Sequence, residues 1–177
     1  VLAGTGTPPP SRSGFQKMAT KVANVTSTIT GESIQGQIEK LKRAQVHRGI
    51  EGGLELDVSG DARYDSVTMG SRSKMGQNAN VAIGVLRENM TDQHKIVAMS
   101  YENKLCQLGN MMRARGQNVS CPGHPRCTAT VPEEEPFTER SLGEKMGKDL
   151  ASQGVKVSIS CTDGDARMTE GINISMQ

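Results

Sequence analysis

Two sets of side chains in this sequence have the types and spacing to do chemistry. The first is the run Cys121-Pro122-Gly123-His124-Pro125-Arg126-Cys127, a Cys-x2-His-x2-Cys cluster, with Cys106 fifteen residues upstream. Cys106, Cys121, His124 and Cys127 together make a Cys3His set, which suits tetrahedral Zn²⁺. Pro and Gly between the ligands match the tight turns such a knuckle needs. A structural zinc would also account for the order of a long insertion. The alternative is a group of unliganded thiols in a surface loop, or a disulfide. His47 and His94 lie elsewhere. Cys161 follows strand-like residues, reads as a buried small hydrophobe, and is the poorest fourth ligand.

The second set is acidic. Asp61 follows one apolar-alternating segment and Asp163 follows another. Carboxylates that converge on one point cannot all ionise without a counter-charge, which Mg²⁺ or Mn²⁺ supplies. Two such ions can activate a water or a 3′-hydroxyl and stabilise the leaving oxygen of a phosphodiester. Asp57 has the same strand parity as Asp61 and competes as first acid. Asp165 either assists Asp163 or sits in the turn. Asp-Gly pairs at strand ends are also ordinary turn formers, and spacing alone leaves that reading open.

Elements must bring these residues together. Pro8-Pro9-Pro10 makes residues 1–10 an extended arm, and Ser11 or Ser13 can cap a helix beginning there. Phe15, Met18, Val22, Val25 and Ile29 recur at three- and four-residue steps, one apolar helical stripe, which Gly31 is expected to end. A second helix is expected over 33–48, with Ile34, Ile38 and Leu41 on one face. Its other face carries Lys40, Lys42, Arg43 and Arg48, a solvated surface or a phosphate-tracking one. These helices form a lead-in over 11–48.

Leu54, Leu56 and Val58 alternate with polar residues as in a half-buried strand, closed by residues 60–65. Residues 66–78 read as a loop. Strands are expected over 80–88 and 95–101, joined by the turn at 89–92. Residues 106–136 read as irregular, a length that is unusual in a compact domain unless something staples it. A helix over 138–153 places Leu142, Met146 and Leu150 on one face and stops at Gly154. A fourth strand covers 155–160. The helix is the crossover that a parallel fourth strand demands. The expected fold is therefore α/β: an RNase H-like mixed sheet built from a three-strand meander, a crossover helix and a fourth strand. It spans 49–177, with a Cys/His-rich insertion at 106–136, and brings the ends of its first and fourth strands together.

Composition bounds the rest. The 177 residues suffice for one modest core. With 21 basic and 19 acidic residues the net charge is +2, which excludes a histone-like tail. Absence of Trp, with two Tyr and two Phe, argues against base-stacking recognition of single strands. No run approaches the roughly 20 apolar residues of a membrane helix. No secretory signal opens the sequence, and a reducing compartment favours metal ligation over disulfides. The first residue is Val1 and no closing signal ends the chain, so a fragment of a longer protein is expected.

In order, Leu56-Asp57-Val58-Ser59-Gly60-Asp61-Ala62-Arg63-Tyr64, Asn103-Lys104-Leu105-Cys106, Cys121-Pro122-Gly123-His124 with Cys127-Thr128-Ala129, and Thr162-Asp163-Gly164-Asp165 resemble the Mutator-like transposase domain of animal mobile elements. The resemblance runs from about residue 10 to the C-terminus. It implies a DDE transposase with an RNase H-like core, which nicks transposon ends and joins the freed 3′-hydroxyl to target DNA with two divalent ions. Asp61 would be the first acid and Asp163 the second. Cys106, Cys121, His124 and Cys127 would correspond to the family's cysteine-rich insertion, with structural Zn²⁺. The third acid, a Glu, lies far downstream in the family; Glu170 is too close to Asp163 to replace it, so this piece alone is expected to be inactive. The implied partner is double-stranded DNA, both transposon ends and target, with no membrane and with room for a homo-oligomer. A nuclear location follows from that substrate only. The competing classes are a zinc-stapled nucleic-acid-binding or interaction module without catalysis, and an inactive structural remnant.

Overall fold

A computed structural model describes residues 11–49, 52–65, 79–163 and 166–176. The expected arm at 1–10, the loop at 66–78, and Asp165 lie outside them. The elements in chain order are α1 (Arg12–His47), β1 (Leu54–Tyr64), β2 (Val81–Glu88), β3 (Ile96–Asn103), α2 (Gln107–Ala114), α3 (Glu139–Ser152), β4 (Val155–Cys161) and α4 (Arg167–Ser175).

The four strands form one mixed sheet in the order β3-β2-β1-β4. β1 runs antiparallel to β2, and β2 to β3, while β4 joins β1 in parallel after the α3 crossover. This is the meander, crossover and fourth strand that the hydrophobic alternation implies. Leu54, Leu56 and Val58 of β1 point into the core with Ala82 and Leu86 of β2 and Val97 and Ala98 of β3. Leu142, Met146 and Leu150 of α3 cover them, each fully buried. Thr138 caps α3 by accepting from the Ser141 N–H at 3.1 Å, and Gly154, at φ +71°, turns the chain into β4.

Four expectations are corrected. Gly31 does not end a helix: α1 is continuous over 36 residues. A mid-helix glycine costs about 1 kcal/mol relative to alanine, too little to offset the flanking turns. Residues 60–64 do not close β1 but extend it, with Gly60 pairing Leu86 and Asp61 pairing Val85. Gly60 is there for closeness: a Cβ on it would come within 2.5 Å of Met168 Sδ and 2.8 Å of Leu86 Cδ2. The stretch after Cys106 is not wholly irregular, since it opens with α2. Cys161 is exposed rather than buried. A β-bulge between Leu56 and Asp57 shifts the register, so that Asp57 pairs Ile159 and Ser59 pairs Cys161. The shift turns Ile159 and Cys161 to the open face of the sheet.

α4 has no counterpart among the elements expected from the sequence. It lies on α3 through glycines, Gly143 and Gly147 on one helix and Gly171 on the other, and buries Met168 and Ile172. Among the described residues no helix is long and apolar enough to cross a membrane.

Glu88, at the end of β2, is fully buried and anchors the β2–β3 turn. Its carboxylate accepts from the N–H groups of Met90 and Thr91, each at 2.8 Å, from the Thr91 hydroxyl at 2.6 Å and from the Lys95 N–H at 3.1 Å. Burial alone would raise its pKa, but these bonds outweigh it and hold the pKa below the usual carboxylate value. A depressed folded-state pKa stabilises the fold above the unfolded value, and that stability is lost as pH falls through the folded pKa. Glu88→Gln should therefore cost about 2–4 kcal/mol at neutral pH and flatten the acid limb of a pH–Tm curve. An unchanged acid limb would remove Glu88 from this role.

Candidate metal centre and acidic strand ends

The Cys/His centre is assembled from the end of β3 outward. Asn103, itself buried, latches the chain there. Its side-chain amide donates to Leu105 O at 3.0 Å and Thr128 O at 2.7 Å, its carbonyl accepts from the Leu105 N–H at 2.9 Å, and its own N–H donates to the Thr130 hydroxyl at 2.8 Å. The Thr128 hydroxyl donates to Leu105 O at 2.7 Å. One asparagine thus holds the segments bearing Cys106 and Cys127 side by side. Lys104 adds a cation–π contact to Phe137, 4.5 Å from the ring centroid.

Cys106 is the N-cap of α2, and its Sγ accepts from the Gly109 N–H at 3.3 Å. His124 turns Nε2 to within 3.2 Å of Cys106 Sγ, while its Nδ1 lies 3.0 Å from Pro125 O. A backbone carbonyl at Nδ1 selects the tautomer with its proton there, leaving the Nε2 lone pair for a metal. Gly123, at φ +145°, makes the turn before His124 that other residues resist. The ligand atoms of Cys106, Cys121, His124 and Cys127 all lie within 4.8 Å of one another. Tetrahedral zinc–thiolate bonds of about 2.3 Å put ligands roughly 3.8 Å apart, so a small contraction closes this set around one ion. The Cys3His group fits a metal such as zinc, as its spacing suggests.

Electrostatics prepare the site. Burial would raise the Cys106 pKa, but the Thr128 and Gly109 N–H groups, with Cys127 and His124, lower it from 9.0 to about 5. Cys121 is raised, by burial and by its neighbours Cys127 and Cys106, against the lowering effect of Arg113. Arg113 Nη1 lies 3.6 Å from Cys121 Sγ and donates to Val119 O at 3.2 Å. Three thiolates around a divalent ion leave about one net negative charge, and Arg113 puts a positive one beside it.

Gly109 and Arg113 were not singled out by the sequence. A Cβ at Gly109 would strike Cys121 Sγ and approach His124 Nε2 to 3.2 Å. A glycine three residues after an N-capping cysteine was the available signal. Arg113 carries none, because only folding brings it to Cys121.

Asp61, paired with Val85, lies on the open face of the sheet, and Asp163 lies beyond the last β1–β4 pair. Asp61 is exposed on β1, and Asp163 is exposed two residues past the end of β4. Ser59 pairs Cys161 in the parallel β1–β4 register, and each acid is two residues beyond one member of that pair. Asp57, half-buried, is level with Ile159 instead. Arg87 shares the face, donating from Nε to the Ser59 hydroxyl at 2.7 Å. Glu170 falls in the first turn of α4. Among the described residues the Cys3His set is the group of three or more such ligands close enough to share an ion, and the acids are not part of it.

A model of the Mutator-like transposase family matches residues 1–177. No curated protein and no solved structure matches the chain.

Proposed function

From the chain's membership of the Mutator-like transposase family, a transposition-related function with DNA as partner follows, and we propose that these residues are the zinc-stapled first part of an RNase H-like DDE catalytic core. In this reading Asp61 is the first acid and Asp163 the second. What supports it is the β1–β4 register, whose last pair is Ser59 opposite Cys161, with each acid two residues further along the chain. Parallel neighbours are about 4.8 Å apart, so if the chain keeps that level past Cys161 the two carboxylates would share a point that a divalent cation can bridge. Asp57 fits less well, because its neighbour across the sheet is the apolar Ile159.

The residues divide the work. Asp61 and Asp163 would hold Mg²⁺ or Mn²⁺, which supplies Lewis-acid polarisation of a phosphodiester and a more acidic water or 3′-hydroxyl. Arg87 and Arg63, exposed on the same sheet face, attract the phosphate backbone. The Cys3His centre holds the chain that leads from β3 to α3, and so the start of the crossover that sets β4 beside β1. Two acids would hold a divalent cation. A nuclear location rests on the DNA substrate alone.

Calorimetry with Mn²⁺ on the zinc-saturated chain tests the reading. Binding is expected, and Asp61→Asn with Asp163→Asn should abolish it, while Asp57→Asn retains it. Binding that survives the double substitution would sink the proposal. DNA binding with a steep salt dependence and no response to either Asp would favour a zinc-stapled binding module instead.

A further inference from the structure

A chain of contacts on the open face of the sheet begins at the buried Glu88. Its carboxylate fixes the backbone of the turn at Met90 and Thr91, and the Asn89 N–H donates to Asp57 O at 2.8 Å. Asn89 is thereby seated beside β1, one step past the Val58–Glu88 pair. There its Oδ1 accepts from the Ser59 hydroxyl at 3.1 Å. That bond uses the single hydroxyl proton, so Ser59 Oγ offers a lone pair to Arg87, whose Nε donates to it at 2.7 Å. Arg87 stands directly opposite Ser59 on β2. On its other side a β-bulge between Leu86 and Arg87 breaks the register with β3, a feature that re-aims side chains.

The held atom, Nε, is the inner edge of the guanidinium. Among the described residues Nη1 and Nη2 take no hydrogen-bond partner, and Arg87 enters no ion pair. Yet Asp57 and Asp61 flank Ser59 on the same strand face, at the diagonal cross-strand spacing of about 7–8 Å that long side chains reach. An arginine left to swing would fall onto one of those carboxylates. The neutral Ser59 hydroxyl holds it off them, with both Nη groups unclaimed on an exposed side chain. Such a fork matches the two non-bridging oxygens of a phosphodiester, which a lysine ammonium meets only as a point charge.

We infer that Arg87 is a pre-oriented clamp for a DNA phosphate on this face, with Ser59 and Asn89 as its positioning residues. The inference deepens the reading above and rests on its DNA partner. Fluorescence anisotropy of a labelled DNA duplex, titrated with the zinc-loaded chain in Mg²⁺ over a salt series, tests it. Arg87→Ala should weaken binding about tenfold and lower the slope of log affinity against log salt by about one. Arg87→Lys should restore the slope and not the affinity. Ser59→Ala and Asn89→Ala should each weaken binding roughly threefold, with no further loss when added to Arg87→Ala. Ser59→Thr, which keeps the hydroxyl, should bind as wild type does. A wild-type chain that leaves the duplex free, or an Arg87→Ala chain that binds it equally well, would overturn the inference. So would full recovery by Arg87→Lys, or Ser59 and Asn89 losses that persist without Arg87. Mn²⁺ calorimetry at Asp61 and Asp163 reads separately: its failure with the Arg87 dependence intact sinks the catalytic reading alone, and the reverse result sinks the clamp alone.

Discussion

Cys106→Ser is expected to release the segment from Lys104 to Phe137 while leaving the sheet assembled. Zinc-loaded wild type should protect the amides of 106–130 from hydrogen exchange, and the variant should lose that protection. The reason is how little else holds the segment. Cys106, Ala129, Val131 and Phe137 are its buried apolar residues, and the Asn103 latch ties only its base. Binding of a structural zinc carries about 10–16 kcal/mol of apparent free energy in small zinc domains, far more than those contacts. Arg113→Ala should weaken zinc about 10–100-fold, the usual effect of losing a group that supports a ligand. Gly109→Ala should weaken it more, because its Cβ collides with Cys121 Sγ. The pH dependence has a definite sign. Cys106, with its pKa lowered to about 5, stays a thiolate well below neutral pH, so proton competition at this ligand sets in only as pH falls toward that value. Chelator competition reads all three effects. Equal protection with and without zinc would show that the segment is held by the protein alone.

Gly171→Leu should be the most damaging substitution away from the metal centre. A Cβ there would overlap Arg140 O and come within 2.7 Å of the Glu144 nitrogen, both backbone atoms of α3. Gly143 faces the converse problem against Met168 O. No side-chain rotation relieves a clash with backbone, so α4 must lift from α3 and expose Met168 and Ile172. The expected loss is about 3 kcal/mol or more, a fall in Tm of roughly 10 °C at this size. Gly36→Ala is the control. A Cβ at Gly36 meets nothing within 4 Å, and a better helix former there should stabilise by about 0.5–1 kcal/mol. Equal, small effects at Gly171 and Gly36 would contradict the packing described.

The parts of this fold that were legible in the sequence are those written in hydrophobic period. Leu54-x-Leu56-x-Val58 and Leu142, Met146, Leu150 state one buried face each, and both faces are buried as expected, although β1 runs on to Tyr64. The Cys3His set was legible because metal ligands are rare residue types whose spacing survives folding. Glycine misled. Gly31 and Gly60 look like punctuation, yet one is a tolerated helix interior and the other makes room for Met168. α4 went unread although Met168, Ile172 and Met176 step by four toward the core, because that stripe is short and its close approach to α3 is made at Gly143, Gly147 and Gly171, which carry no apolar signal. The β-bulge after Leu56 was equally silent. It reverses the face of Ile159 and Cys161, and so decides what stands beside the acids.

Catalysis by this core would turn on Asp61 and Asp163 sharing a cation. Crystals of the zinc-loaded chain soaked in Mn²⁺, with anomalous data collected on both sides of the zinc edge, separate the two metals directly. A manganese peak between the Asp61 and Asp163 carboxylates, apart from the zinc at Cys106, Cys121, His124 and Cys127, is the predicted result. Manganese absent from that point, with the two carboxylates turned away from each other, would contradict the catalytic reading.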